Sequence, residues 1–569
     1  MSKPDLILLH PPSVYDFREK SIFYGPISDL IPSSPIFEMY PLGLLTIQSY
    51  LEKKGYNVRI VNLALKMMKN NDFNVRKFIS NLNPKAFGID LHWLPHAHGS
   101  LEIAKIVKEE HSKIPTIFGG LSSTYFHKEL IDYPQVNYVL RGDSTEEPFY
   151  DLLQAIERET SLQKVPNLTW KDSKEETVVN SLDFNPPTLD HADLGIDTMI
   201  KNVFKYRDLE SVIPFHGWLK NPITTVISVK GCRQGCITCG RSKYSNECYN
   251  ERQGPIFRSP DSMIKNIKEI INFSRGPIFI VGDIRQAGRD YAEELLDKLS
   301  RINCKNEIVF ELFRPAARDF LEKINDSVTN WSLELSPESH SEEVRKAQNG
   351  TAIYTNEEME QTLDIATNLD CNRIDVFFMI GLPKQTAKSV EETIDYCEYL
   401  FQKYDTKLSC FISPMGPFLD PGSLAFEEPE KMGYKKFAHT LEDHRKRLTN
   451  SSWEEILSYE TEWMTKKEIV EQTYKAGDKL NKLKSKYDRI DNQTSQRINK
   501  RIKQAKKLKK YLDREKKDLK ISGDFNLKGE IDKFSISTVC EKSELDWPTT
   551  FGKFKILGGI KSLVSHFLS

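Results

Sequence analysis

The first 231 residues of this 569-residue chain contain no cysteine, no run of about 18 apolar residues occurs anywhere, and the net charge is almost nil. Each shortage excludes something. Without a long apolar run, no segment reads as a membrane-spanning helix. The opening residues, MSKPDLILLHPPS, break at a proline pair after one short apolar run and lack the shape of a secretory leader, so a cytoplasmic protein is expected. Nine cysteines, an odd number confined beyond residue 231, do not make an extracellular disulfide framework. The 80 Lys+Arg against 81 Asp+Glu leave a formal charge of -1 and no global case for a nucleic-acid binder. Apolar residues at 39% and charged residues at 28% exclude wholesale disorder. At this length about three or four domains are expected, with core enough to need no structural metal.

What is present is a twice-repeated alternation of strand and helix. DLILLH (5–10), VRIVNL (58–63), AFGIDL (86–91), TIFGG (116–120) and NYVLRGD (137–143) read as strands, with amphipathic helical stretches between them. One of these, LGLLTIQSYLEKKG (42–55), closes on Gly55 as a C-cap. Such alternation predicts an α/β domain with an open parallel sheet over residues 1–159, binding ligands beyond the strand C-termini. Residues 160–222 are proline-rich and read as a linker carrying a small hairpin. Six further strand–helix units, over 223–425, predict a partial (β/α)6 barrel whose active site lies at the strand C-termini. From 426 to 569 the pattern turns helical and locally basic. Residues 481–520 hold 16 Lys/Arg against 5 Asp/Glu, a net +11 that reads foremost as a solvated helical hairpin. The last segment, 551–569, is amphipathic, a docking helix or a peripheral membrane contact.

Directly after the first barrel strand stands KGCRQGCITCG (230–240), which spaces Cys232, Cys236 and Cys239 as C-x3-C-x2-C. Three close thiolates let one loop wrap one iron–sulfur cluster and leave one iron of four open. Gly231, Gly235 and Gly240 let that loop turn tightly.

With this spacing the sequence resembles the radical S-adenosylmethionine (SAM) superfamily. The resemblance implies a [4Fe-4S] cluster on the three cysteines, SAM chelated by the open iron, and a 5'-deoxyadenosyl radical that takes hydrogen from substrate. It further implies SAM contacts at Gly282 and Asp283 after the second barrel strand, at Ser336 and Glu338 on the fourth, at Gly381 in an IGLP run (380–383), and at Thr238, where relatives often carry an aromatic residue.

PLGLLTIQSYLEKKGYNVRIV (41–61), FGGLSST (118–124) and YVLRGDSTEEP (138–148) resemble the cobalamin-binding domain that precedes many radical SAM domains. The resemblance implies a Rossmann-like fold and corrin contacts from Pro12, Ser13, Leu42, Gly43, His92, Gly119, Gly120, Ser122, Ser123, Thr124, Arg141, Gly142 and Asp143. The D-x-H-x-x-G signature of histidine-ligated cobalamin is incomplete: Asp90 and His92 are present, the glycine is not. His92, His96 and His98 could each approach a cobalt, but the radical SAM relatives commonly leave the lower face without a histidine, and a hydrogen-bonded structural role suits each of the three better.

The missing N-terminal cysteines exclude a tRNA methylthiotransferase, which needs three more cluster ligands there. The domain order is similar to archaeal B12-binding-domain radical SAM proteins, among them tetraether-lipid (GDGT) ring synthases. That similarity implies C–C bond formation at an unactivated carbon of a membrane lipid or other hydrophobic substrate, with a ferredoxin or flavodoxin as electron donor. The alternatives are a cobalamin-dependent radical SAM C-methyltransferase and, of another class, a non-catalytic nucleic-acid-binding protein. The intact cysteine triplet disfavours the last, and no individual side chain is assigned to hydrogen transfer.

Overall fold

The computed structural model describes residues 3–350, 353–515 and 538–547. The C-terminal segment 551–569 lies outside the described residues, as do residues 516–520 of the basic stretch.

Seven strands form the first sheet: β1 (Leu6–His10), β2 (Val58–Asn62), β3 (Ala86–Asp90), β4 (Thr116–Gly119), β5 (Tyr138–Leu140), β6 (Leu168–Lys171) and β7 (Thr177–Val179), in the order β2-β1-β3-β4-β5-β6-β7. The first five are parallel, and β1 and β3 are buried along their whole length. Such continuous apolar runs are what helices on both faces of a parallel sheet require. The hairpin expected in the linker is β6–β7, and it adds antiparallel strands to the β5 edge of this sheet rather than standing apart. The helix Leu42–Lys53 ends where expected, with Gly55 at φ +91° just beyond it.

After a short ladder of β9 (Val229–Lys230) with β10 (Ile256–Phe257), the second α/β unit is built on β8 (Thr224–Ile227), β11 (Ile278–Val281), β12 (Ile308–Leu312), β13 (Trp331–Glu338), β14 (Ile374–Ile380) and β15 (Leu408–Pro414). Every pair in this sheet is parallel and the strands stand in chain order, which is the open six-stranded barrel expected from the sequence. A small antiparallel pair, β16 (Tyr434–Lys436) and β17 (Tyr459–Thr461), follows.

The basic region is a helical hairpin, Lys466–Lys486 and Asn492–Glu515. The second helix buries Ile498, Ile502, Ala505, Leu508 and Leu512 and leaves Lys500, Lys503, Lys506, Lys507 and Lys510 in solvent. Each buried Leu or Ile contributes roughly 1.5–3 kcal/mol, so the apolar stripe outweighs the repulsion among solvated lysines. No described helix is long and apolar enough to cross a membrane.

Candidate functional site

The cysteine loop leaves β9 at the C-terminal end of the barrel. Cys232, Cys236 and Cys239 are all half-buried. Gly231 adopts φ +83°, and a Cβ there would strike Arg252 and Asn246. A Cβ on Gly350 would collide with Cys236 Sγ, so a second glycine, from beyond the fourth strand, presses on the loop. Backbone N–H groups already point at sulfur: Gln234 N donates to Cys232 Sγ (3.4 Å) and Arg241 N to Cys239 Sγ (3.4 Å). Burial, with Asp420 adding, pushes the Cys239 thiol well above its ordinary range. Iron binding there must displace a proton. No three His, Cys, Asp or Glu side chains among the described residues converge as they would on a single ion. A four-iron cluster is larger, with a thiolate at each of several corners, and a loop carrying three thiols and sulfur-directed amides fits it.

The residues expected around SAM sit at this same end. Gly282, at φ +91°, follows β11, and its N–H donates to Glu311 Oε2 (2.7 Å). Ser336 and Glu338 close β13 beside a register shift. Burial pushes the Glu338 carboxyl up to about 7. Three of the expected residues also have partners within the protein. Asp283 is taken by its own loop, accepting from Arg285 Nε (2.9 Å), Arg285 Nη2 (2.6 Å) and Phe313 N (3.0 Å), which leaves it a turn-holding role. Gly381, at φ +104°, packs under Tyr459 and gives its N–H to Gln385 Oε1 (2.8 Å). Thr238 Oγ1 accepts from Gln348 Nε2 (2.8 Å), tying the cysteine loop to the helix after β13.

A slot of about 320 Å³ lies between the C-terminal ends of the first sheet and the barrel. Leu42, Gly43, His92, Gly119, Gly120, Gly142 and Asp143 line it, together with Ile227, Val229, Lys230 and Val281 from the barrel. A Cβ at Gly43 would meet nothing within 4 Å and one at Gly119 only Leu140 O at 3.9 Å, so both glycines keep the walls low where a flat ring would lie. Asp90 accepts from the backbone N–H of His92 (3.0 Å), and both its oxygens lie 3.0 Å from His92 Nδ1. His92 Nε2 makes no hydrogen bond to a described residue. Burial favours the neutral form of Asp90, but His92 and His10 outweigh it and hold the carboxyl far below its usual range. An imidazole oriented through its far nitrogen by a carboxylate is the arrangement that presents a nitrogen to a metal. Glycine floor, apolar rim and oriented imidazole together fit a corrin.

Six other expected corrin contacts point elsewhere. Pro12 packs against Gly99, whose Cβ would strike its carbonyl, and Ser13 Oγ donates to Pro35 O (3.4 Å). Ser122 is buried in the helix after β4; Ser123 Oγ donates to Gly119 O (3.1 Å), and Thr124 Oγ1 accepts from Gly142 N (2.9 Å). Arg141 reaches Asn180 O and so fastens the hairpin. His96 and His98 are structural, paired with Pro11 O (3.1 Å) and Tyr15 N (3.2 Å). Asp143 lines the slot, yet both its oxygens are held by Arg252.

A second cavity, about 980 Å³, runs through the barrel interior. It is walled by Phe279, Phe377, Trp218 and Trp547, by the chain over 17–45, and by the linker. The two spaces share Pro41, Leu42, His92 and Val281. The sequence reading passed over Gln286, whose Oε1 lies 3.2 Å from Cys232 Sγ, and over the barrel acids Glu311 and Glu334. The signal for the acids was an acidic residue inside an apolar strand, EIVFELF and NWSLELS, where a carboxyl pointing into a packed layer would be left without solvent or partner.

A ligand slot at the C-terminal edge of a Rossmann-like sheet, set over a partial barrel that opens with a C-x3-C-x2-C loop, defines a radical SAM enzyme with a B12-binding domain. Residues 226–397 match the Radical SAM superfamily and residues 33–150 the B12 binding domain. The cofactors these domains imply are a [4Fe-4S] cluster, SAM and cobalamin. The chain is 22% identical over 286 residues to the hopanoid C-3 methylase of Methylococcus capsulatus, covering 50% of each, and 27% identical over 173 residues to the cytidylyl-2-hydroxyethylphosphonate methyltransferase of Streptomyces wedmorensis, covering 26% of this chain and 32% of that one. It thus spans about half or less of the length of these relatives. Its fold is similar to the cobalamin-dependent SAM radical enzyme OxsB with aqua-cobalamin and SAM bound (TM-score 0.54, 13% identity, covering 100% of this chain and 80% of that one). It is also similar to the radical SAM methyltransferase TsrM of Kitasatospora setae with cobalamin and [4Fe-4S] cluster bound (TM-score 0.53, 14% identity, covering 76% and 80%).

Proposed function

We propose that the protein is a cobalamin-dependent radical SAM C-methyltransferase acting on an apolar substrate. The observation that carries this reading is the junction of the corrin slot with the apolar barrel cavity at Pro41, Leu42, His92 and Val281. A methyl donor bound in the slot and a carbon held in the cavity would meet there. Ring closure on a tetraether lipid, the leading expectation from the sequence, gives way to its alternative, because the sequence relatives are a methylase and a methyltransferase. The relative that acts on a hopanoid supports a lipid-like substrate.

When bound, the cluster supplies the electron that cleaves SAM, and the corrin supplies the methyl group. The chain's own residues hold and shield. Cys232, Cys236 and Cys239 hold the cluster; the Gly282 turn, braced by Glu311, shapes the SAM side. Gly43 and Gly119 keep the slot shallow, and the Asp90–His92 pair would offer Nε2 toward a bound corrin. Phe279, Phe377 and Trp218 exclude water from the carbon to be attacked. The one-electron donor we assign is a ferredoxin or flavodoxin.

The test is anaerobic reconstitution with iron, sulfide and cobalamin, followed by incubation with methyl-labelled SAM and an apolar lipid extract. Corrin uptake and a product carrying the label are expected. Failure to take up corrin, or a product that has only lost hydrogen, would reject methyl transfer and restore ring closure.

A further inference from the structure

Three acids stand side by side on the inner wall of the barrel: Glu311 on β12, Glu334 on β13 and Asp375 on β14 are paired in register across adjacent strands. Glu334 and Asp375 face the large cavity, as do Glu38 and Asp546. All but one of these cavity acids have partners. Glu38 accepts from Ser33 Oγ (3.0 Å), Ser34 N (2.8 Å), Ser34 Oγ (2.6 Å) and His216 N (3.0 Å). Asp375 is gripped by Arg373, with contacts of 2.9, 2.9 and 2.8 Å, and Asp546 accepts from Asn221 (2.9 Å). The Glu334 carboxyl, half-buried on the cavity wall, makes no hydrogen bond or ion pair to a described residue.

A carboxyl with no partner from the protein, on a wall that is otherwise apolar, is free to pair with a polar group that arrives with the ligand. We propose that Glu334 is the anchor for a hydroxyl group on an otherwise apolar substrate held in the barrel cavity, an inference that rests on the apolar-substrate reading above. Burial, with Asp375 and Glu311 adding, pushes Glu334 up to about 8, and Arg373 opposes this only in part. It is therefore protonated at neutral pH, a donor and an acceptor at once, which is the complement of a hydroxyl. An ammonium would instead need a carboxylate; here Arg373 already neutralises Asp375, and Glu311 is itself pushed up to about 7 by burial. The aromatic side chains Phe279, Phe377 and Trp547 line the same cavity and suit the hydrocarbon body of the substrate.

The full-length protein is titrated with decane, decanol and decylamine, and binding is followed by tryptophan fluorescence, to which Trp218 and Trp547 on the cavity wall contribute. Decanol binding about fivefold to tenfold tighter than decane is expected, the effect of one net hydrogen bond. Glu334→Leu should equalise decanol and decane, while Glu334→Gln, which can still donate and accept, should keep the preference. Equal affinities in the native protein, a preference that survives Glu334→Leu, or tighter binding of decylamine would each overturn the hydroxyl anchor and leave the apolar cavity standing. Binding of none of the three would overturn the apolar-substrate reading and the anchor with it. If Glu334→Leu does not fold, the comparison of the three probes on the native protein still decides the question.

Discussion

Arg252 and Asp143 form a bidentate pair across the domain boundary: Nη1 meets Oδ1 and Nη2 meets Oδ2, each at 2.7 Å, with both side chains below one-tenth exposed. Asp143 belongs to the loop after β5, and Arg252 lies between the cysteine loop and β10, so one fork joins the corrin slot to the cluster loop. Arg252 also reaches Lys230 O (3.2 Å) and Asn246 Oδ1 (3.2 Å).

Removing one partner of such a pair strands a buried charge. Arg252→Ala should destabilise the protein by about 3–5 kcal/mol, read as a lowered melting temperature. The double variant Asp143→Leu/Arg252→Met should recover much of that loss. A single variant as stable as the native protein would refute the pairing.

Gly350 bears on the cluster through shape alone. Gly350→Ala should drive Cys236 Sγ off its position and reduce bound iron after reconstitution as severely as Cys236→Ala. Iron analysis and the visible iron–sulfur absorbance measure this. A full iron complement in Gly350→Ala would mean that the loop moves aside freely.

His92 is expected to ligate the corrin metal through Nε2. The cob(II)alamin form of the reconstituted protein should show nitrogen splitting in its electron paramagnetic resonance spectrum, and His92→Ala should lack it. A native spectrum without that splitting would assign His92 to the wall of the slot only.

His444 is 3% exposed, stacks on Phe426 at 6.0 Å, and has an enclosed Nε2 with no hydrogen-bond partner among the described residues. Burial, aided by Lys436 and Arg447, lowers its pKa to about 3. The unfolded chain takes up this proton near pH 6.5 and the folded one does not, so stability is full above about 6.5 and falls as pH drops toward 3. The slope from this group is about 1.4 kcal/mol per pH unit. His444→Phe should flatten urea-unfolding stability between pH 6 and 4 by about that slope. An unchanged slope would exclude His444 as its source.

The cysteine triplet was legible because a cluster loop is local: three thiols within eight residues carry their chemistry wherever the chain goes. The parallel sheets were legible as well, since strands covered on both faces must be apolar throughout. Gly43 and Gly119, expected as corrin contacts, line the slot. Arg141 and Asp143 also lie in its loop, yet their side chains are claimed by Asn180 and Arg252, residues 39 and 109 positions away. A one-dimensional pattern shows which groups can bind a ligand, not which have been taken by the protein. The same limit hid Glu334, whose meaning depends on Asp375 having a guanidinium and Glu334 having none.

From its residues alone the chain shows a cluster-binding loop and two parallel α/β units, because ligand spacing and hydrophobic periodicity are short-range properties, and its motifs resemble those of radical SAM proteins with a B12-binding domain. Tertiary structure decided the rest. It placed the corrin slot against an apolar cavity, tied Asp143 to Arg252 across the domain boundary, and left one carboxyl without a protein partner facing that cavity. Those outcomes depend on contacts between residues far apart in the chain, and burial then determines whether each polar group is satisfied at home or held for a ligand.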